Sequence, residues 1–175
     1  MTAGQSHRVY LSLGSNVERH KHIGAALDAL SKRFGELMLS RVFESEAVGF
    51  KGDNFFNLVV GFDSERSVGE LALIMRAIEQ DNGRLRDGVR FGPRTLDIDI
   101  LSYDNCHGII DGIELPRDEI LKNAFVLIPL ADIAGAQCHP LTGQSYLMHA
   151  QQHDVTAQKL WPIKFVWEGQ DISEL

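Results

Sequence analysis

The chain has 175 residues, 44% of them hydrophobic, and carries a net charge of −7 from 17 basic and 24 acidic side chains. That length and apolar content suit one globular domain over 1–175 with its own core, and the acidic balance disfavours a general nucleic-acid surface. No run approaches the roughly 18 apolar residues of a membrane span, and the first residues lack a secretory apolar segment. Cys106 and Cys138 have no metal-ligand spacing, so free thiols and a cytoplasmic, reducing setting are expected.

In chain order, Val9, Leu11 and Leu13 alternate with Tyr10 and Ser12, which predicts a strand over 9–13. It ends at Gly14-Ser15-Asn16, where Asn16 is placed to cap the next helix. Ile23, Ala26, Leu27 and Leu30 mark that helix at i, i+3, i+4 and i+7, and Gly35 is its stop signal. The stretch 37–44 reads as a second strand and 46–54 as a loop. In a third strand, 55–63, Phe56, Leu58, Val60 and Phe62 take the core phase and leave Phe55, Asn57 and Val59 on the other side. Ser67-Val68-Gly69-Glu70 is a capping box, opening a helix to about 81 whose buried stripe is Leu71, Ile74, Met75 and Ile78.

The segment that follows holds the densest chemistry. Arg84, Arg86, Arg90 and Arg94 lead directly into a run where Leu96, Ile98 and Ile100 alternate with Thr95, Asp97 and Asp99. Strand geometry puts both carboxylates on one face, about 7 Å apart at the backbone. Two carboxylates on one face suit Mg²⁺, which takes one or two such ligands plus substrate phosphates. Guanidinium groups suit the same phosphate oxygens. A bare D-x-D also suits a solvated strand face; the neighbouring arginines and the irregular approach through Gly92-Pro93 favour a polyphosphate site. The G-x-x-x-x-G-K-[ST] phosphate loop does not occur, which excludes a P-loop nucleotide site.

Beyond this strand, 109–115 is expected to be extended and to pair with it through the 103–108 turn. The stretch 124–134 reads as an apolar helix, and 161–167 as a terminal strand or an interaction surface. The histidine pairs His20/His22 and His149/His153 lack a third ligand nearby and read as solvated side chains. The order strand–helix–strand–strand–helix–strand gives an α+β, ferredoxin-like split βαβ sandwich. Its sheet is antiparallel-rich with helices on one face, and the other face presents Phe55, Asn57, Asp97 and Asp99 together.

Leu11-Ser12-Leu13-Gly14-Ser15-Asn16, Phe55-Phe56-Asn57, the run from Gly83 to Asp99, Pro116, and Phe125-Val126-Leu127-Ile128-Pro129-Leu130 resemble the 6-hydroxymethyl-7,8-dihydropterin pyrophosphokinase family, over about 9–134. The resemblance implies transfer of pyrophosphate from ATP, the co-substrate, to the hydroxymethyl group of a dihydropterin in folate biosynthesis. It implies that Asp97 and Asp99 hold two Mg²⁺ ions and that Arg84 and Arg94 stabilise the transferring group. ATP would meet Glu79, Arg86, Arg90, Arg94, Ile100 and Arg117. The pterin would meet Ser45 to Val48, Phe55, Asn57, Phe91 and Phe125, although Phe125 suits a core position equally well. The implied partners are small molecules only, with neither nucleic acid nor membrane, and the implied state is a monomer.

The residue chemistry agrees, because pyrophosphoryl transfer is mainly positioning and charge neutralisation. A flat heteroaromatic ring wants aromatic faces and an amide edge. Three features depart from the family pattern: Arg117 replaces a histidine after Pro116, Asn123 replaces an arginine, and the 45–49 loop lacks prolines. A lost charge-assisted hydrogen bond is worth about 1.5–3 kcal/mol. Two alternatives therefore stay open: a diverged paralog acting on another pterin, and a non-catalytic pterin- or nucleotide-binding protein.

Overall fold

A computed structural model describes residues 4–46, 53–83, 95–154 and 158–174. Its first seven elements are β1 (His7–Ser15), α1 (Arg19–Phe34), β2 (Met38–Leu39), β3 (Val42–Ser45), β4 (Phe55–Ser64), α2 (Val68–Asp81) and β5 (Asp97–Tyr103). The sheet runs β5-β1-β4-β3, with every neighbour antiparallel, which is the ferredoxin-like order. A late strand, β8 (Leu160–Ile163), extends it beyond β3.

Local signals set most element ends. Gly35 stops α1 at φ 78°, its N–H donating to Ser31 O at 2.9 Å. In the capping box of α2, the Glu70 N–H donates to Ser67 Oγ at 3.2 Å and the Ser67 N–H to Glu70 Oε1 at 3.1 Å. Asn16 does not cap α1: the helix starts behind Glu18, at φ 43°, and the Asn16 amide reaches Asp53 O at 3.4 Å. The stretch 37–44 is two strands rather than one. Buried Ser40 takes the Val59 N–H on its Oγ at 2.8 Å while its own N–H donates to Val59 O at 3.0 Å. A side chain thus replaces a ladder bond and breaks the strand.

The extended segment after β5 also differs from expectation. β6 (Gly108–Ile110) and β7 (Ile113–Leu115) pair with each other and form a separate two-stranded sheet. Asp111 at φ 50° and Gly112 at φ 81° make the two-residue turn that a right-twisted hairpin favours, so pairing is local.

Helices α1 and α2 cover one sheet face, where Ile23, Leu27, Leu30, Leu71 and Met75 meet Leu11, Leu13, Leu58, Val60 and Ile98. Three later helices, α3 (Glu119–Lys122), α4 (Ala124–Ala134) and α5 (Tyr146–Gln152), are added to this core. On the opposite face Val126, Leu127, Leu130 and Tyr146 pack against Tyr10, Val59 and Leu101. Along the same strand phase the residues then turn polar: Ser12 and Gly14 on β1, Asn57 on β4, Asp99 and Asp97 on β5. An apolar helix cannot cover that end without stranding polar groups, so the face opens there.

The tail closes with β9 (Val166–Trp167) and β10 (Gln170–Asp171). Buried Phe165 stacks on His20 with ring centroids 5.2 Å apart, and the Trp167 indole donates to Asp28 Oδ1 at 2.9 Å. His20 stays exposed, as expected, while one side of its ring packs on Phe165. His22, by contrast, is buried and shares a 2.9 Å hydrogen bond with Asn82 Oδ1, and His149 is 2.7 Å from Thr142 Oγ1. Both cysteines are free.

Candidate active site

The open end of the sheet forms a cavity of about 330 Å³. Its floor is Ser12, Leu13 and Gly14 of β1, Phe55 and Asn57 of β4, and Asp97 and Asp99 of β5. Ser45 and Glu46 at the end of β3 bound one side, and Glu119, Asn123, Phe125 and Val126 bound the other. The aromatic and amide groups expected for a ring and the carboxylates expected for phosphate chemistry thus flank one central strand.

Asn57 is 6% exposed, and its amide donates to Ser45 Oγ at 2.7 Å. A Cβ on Gly14 would lie 3.4 Å from Asn57 Oδ1, an ordinary contact distance, so the amide lies directly beside β1. Phe125 is half-buried between buried Ala124 and Val126; it packs against the second apolar cluster and also lines the cavity. Phe55 is half-buried at the start of β4, while Phe56 fills the core behind it.

Asp99 accepts a hydrogen bond from Arg117 Nη2 at 2.9 Å. The Arg117 N–H donates to Leu101 O at 2.8 Å, which docks the segment after β7 on β5 and carries the guanidinium to Asp99. Its Nε is buried without a hydrogen-bond partner among the described residues. At the rim, the Lys122 ammonium lies 2.8 Å from Asp118 Oδ2; it holds that carboxyl below its usual range and is itself raised.

Two of the residues expected at ATP, Glu79 and Ile100, are buried beside the start of β5. Glu79 is 1% exposed; its carboxylate accepts the Ile98 N–H at 2.7 Å and pairs with Arg76, tying the end of α2 to the start of β5. Ile100 is buried in the core between the sheet and α1 and α2. Neither side chain lines the cavity. Arg84, Arg86, Arg90, Phe91, Arg94 and Val48 lie outside the described residues. Ser12, Gly14 and Glu119 line the cavity without having been singled out from sequence. For Ser12 and Gly14 the signal was available, since both share the outward phase of β1 with Tyr10. Asn123, read from sequence as a lost cation, is itself part of the wall.

Among the described residues no three His, Cys, Asp or Glu side chains are grouped to hold an ion by themselves. Asp97 and Asp99, on one face of β5 and open to the cavity, are instead the donor set Mg²⁺ takes when substrate oxygens complete its shell. The residues present fit that metal.

A family model described as 7,8-dihydro-6-hydroxymethylpterin-pyrophosphokinase matches residues 10–135. The chain is 39% identical over 132 residues to a 2-amino-4-hydroxy-6-hydroxymethyldihydropteridine pyrophosphokinase of Porphyromonas gingivalis, covering 72% of this chain and 90% of that protein. The like-named protein of Pseudomonas aeruginosa is also 39% identical, over 73% of this chain and 80% of its own length. Among solved structures, a Plasmodium falciparum HPPK-DHPS triple mutant superposes with a TM-score of 0.67 at 12% identity. That likeness covers 85% of this chain but only 42% of the longer one, and it supports the fold. With the family match spanning β1 to the end of α4, the chain belongs to the 7,8-dihydro-6-hydroxymethylpterin-pyrophosphokinase family.

Proposed function

We propose that this chain transfers the pyrophosphoryl group of ATP to the hydroxymethyl oxygen of 6-hydroxymethyl-7,8-dihydropterin, releasing AMP, as a step of folate biosynthesis. The observation that carries the reading is the convergence of Phe55 and Asn57 with Asp97 and Asp99 on one cavity. Phe55 and Phe125 offer faces for the pterin ring, and Asn57, oriented by Ser45, offers an edge that both donates and accepts. Asp97 and Asp99 would hold two Mg²⁺ ions. Bound there, the ions would neutralise the phosphate charge that opposes attack by the hydroxymethyl oxygen.

Arg117 stands where it can turn from Asp99 to a phosphate oxygen, and its buried Nε is a further donor for that role. Arg84 and Arg94 are assigned to the transferring group. Arg86 and Arg90 are assigned to ATP, Phe91 to closure over the pterin, and Val48 to the pterin loop. Glu79 acts on the nucleotide side by fixing the start of β5. Ile100 backs the same strand from the core. We read the chain as a single domain that works as a cytoplasmic monomer on small molecules, without nucleic acid or membrane. Among the described residues no helix is long and apolar enough to cross a membrane.

The test is nucleotide analysis after incubation with ATP, Mg²⁺ and 6-hydroxymethyl-7,8-dihydropterin. Pterin-dependent AMP is expected, with AMP and pterin pyrophosphate formed one to one. ADP would mean single phosphoryl transfer and overturn the reaction assigned. Saturable pterin binding without any turnover would make the protein a binder.

A further inference from the structure

We propose that residues 158–163, which lie beyond the residues that the family model matches, form a strap that holds the two walls of the pterin pocket, with Gln158 as its positioning residue. The proposal rests on the pyrophosphokinase reading for what the pocket holds. It rests on this chain's own contacts for how the walls are held.

Helix α4 begins without a cap of its own. Asn123 occupies the N-cap position, but its side chain makes no capping hydrogen bond. The first N–H groups of a helix need partners from outside the helix. Gln158 supplies one: its Oε1 accepts the Ala124 N–H. The same amide donates through Nε2 to Lys122 O and to Asn123 Oδ1, each at 3.3 Å. A single side chain thus fixes the junction between α3 and α4. Asn123 and Phe125, on either side of Ala124, both line the cavity.

Two residues further on, the strap grips the other wall. Leu160 pairs with Ser45 in the β3–β8 ladder, and Ser45 accepts the Asn57 amide at 2.7 Å. Without β8, β3 would be the sheet edge, where an end strand keeps its register least well. Gln158 therefore ties the aromatic wall, and Leu160 the amide wall, to one short piece of backbone. The carboxylates on β5 lie across β1 from β4, at the opposite edge of the sheet from β8. The expected signature is a loss that falls on the pterin and spares ATP.

Two variants of the full-length chain test this. Gln158→Met keeps the length of the side chain and removes both polar atoms; Gln158→Glu keeps an acceptor for the Ala124 N–H. Pterin affinity is read by calorimetry in the presence of Mg²⁺ and a non-hydrolysable ATP analogue, and KM for each substrate by AMP formation. Gln158→Met is expected to weaken pterin binding by about tenfold, the effect of one hydrogen bond, with KM for ATP changed by less than about twofold. Gln158→Glu should recover most of the pterin affinity. Unchanged pterin binding in Gln158→Met, equal losses for both ligands, failure to fold, or no recovery in Gln158→Glu would each overturn the strap. A wild-type chain that binds pterin yet releases no AMP would instead remove the assigned reaction, and the calorimetric comparison would still decide the strap.

Discussion

Asp99 meets two demands, holding Arg117 at 2.9 Å and facing the cavity floor beside Asp97. The side chains of Arg117 and Asp99 are 27% and 16% exposed, so the pair is partly buried, and Asp99→Asn removes the charge while keeping an oxygen that accepts from Arg117 Nη2. Catalytic loss is then separable from unfolding. Asp97→Asn and Asp99→Asn should each lower Mg²⁺-dependent AMP formation by at least about a hundredfold, with melting temperatures near wild type. Activity within a few-fold of wild type in either variant would remove the carboxylate pair from the mechanism. Away from the site, His139 is 4% exposed, and burial first, then the His149 ring 6.0 Å away, push its pKa below the ordinary 6.5. The fold keeps this imidazole neutral while the unfolded chain protonates it near 6.5. Its stabilising contribution is therefore present above that pH and lost as pH falls through the lower folded value. Urea midpoints measured from neutral to mildly acidic pH should decline, and His139→Asn, which retains an acceptor for the Leu141 N–H, should flatten the decline.

At the scale of elements, α2 and the β6–β7 hairpin show where local chemistry suffices. The reciprocal bonds between Ser67 and Glu70 satisfy donors at the helix start, so Ser67→Ala should cost about 1 kcal/mol in chemical denaturation. A loss within error would mean the helix is set by packing alone. The Asp111-Gly112 turn likewise specifies its hairpin within a few residues. The split between β2 and β3 is different in kind. Nothing in the stretch 37–44 marks Ser40 as a break, because the group that occupies its hydroxyl is the Val59 N–H of β4. A non-local partner decided that boundary.

At the scale of the molecule, one sheet face changes from apolar to polar along β1, β4 and β5, and the helices of the second half stop where it does. The tail is part of this architecture. Phe165 is 2% exposed and packs on His20 and Phe56, joining the last strands to α1 and β4. Phe165→Ala should destabilise the protein by about 3 kcal/mol, read as a lower urea midpoint. A change below about 1 kcal/mol would place the tail outside the cooperative core.

Period-two alternation by itself determined which side chains of each main strand share a face. Phe55, Asn57, Asp97 and Asp99 could therefore be assigned to a common face, since side-chain direction in a strand follows from local geometry. Capping and helical spacing fixed α1 and α2 for the same reason. Only the tertiary structure decided what approaches that face: Arg117 on Asp99, Ser45 on Asn57, Glu119 and Asn123 across the cavity, and Gln158 at the start of α4. It also set the buried Glu79 carboxylate on the Ile98 N–H at the start of β5. These pairings join residues that are far apart in the chain, and sequence periodicity carries no information about which distant segment a folded surface will meet.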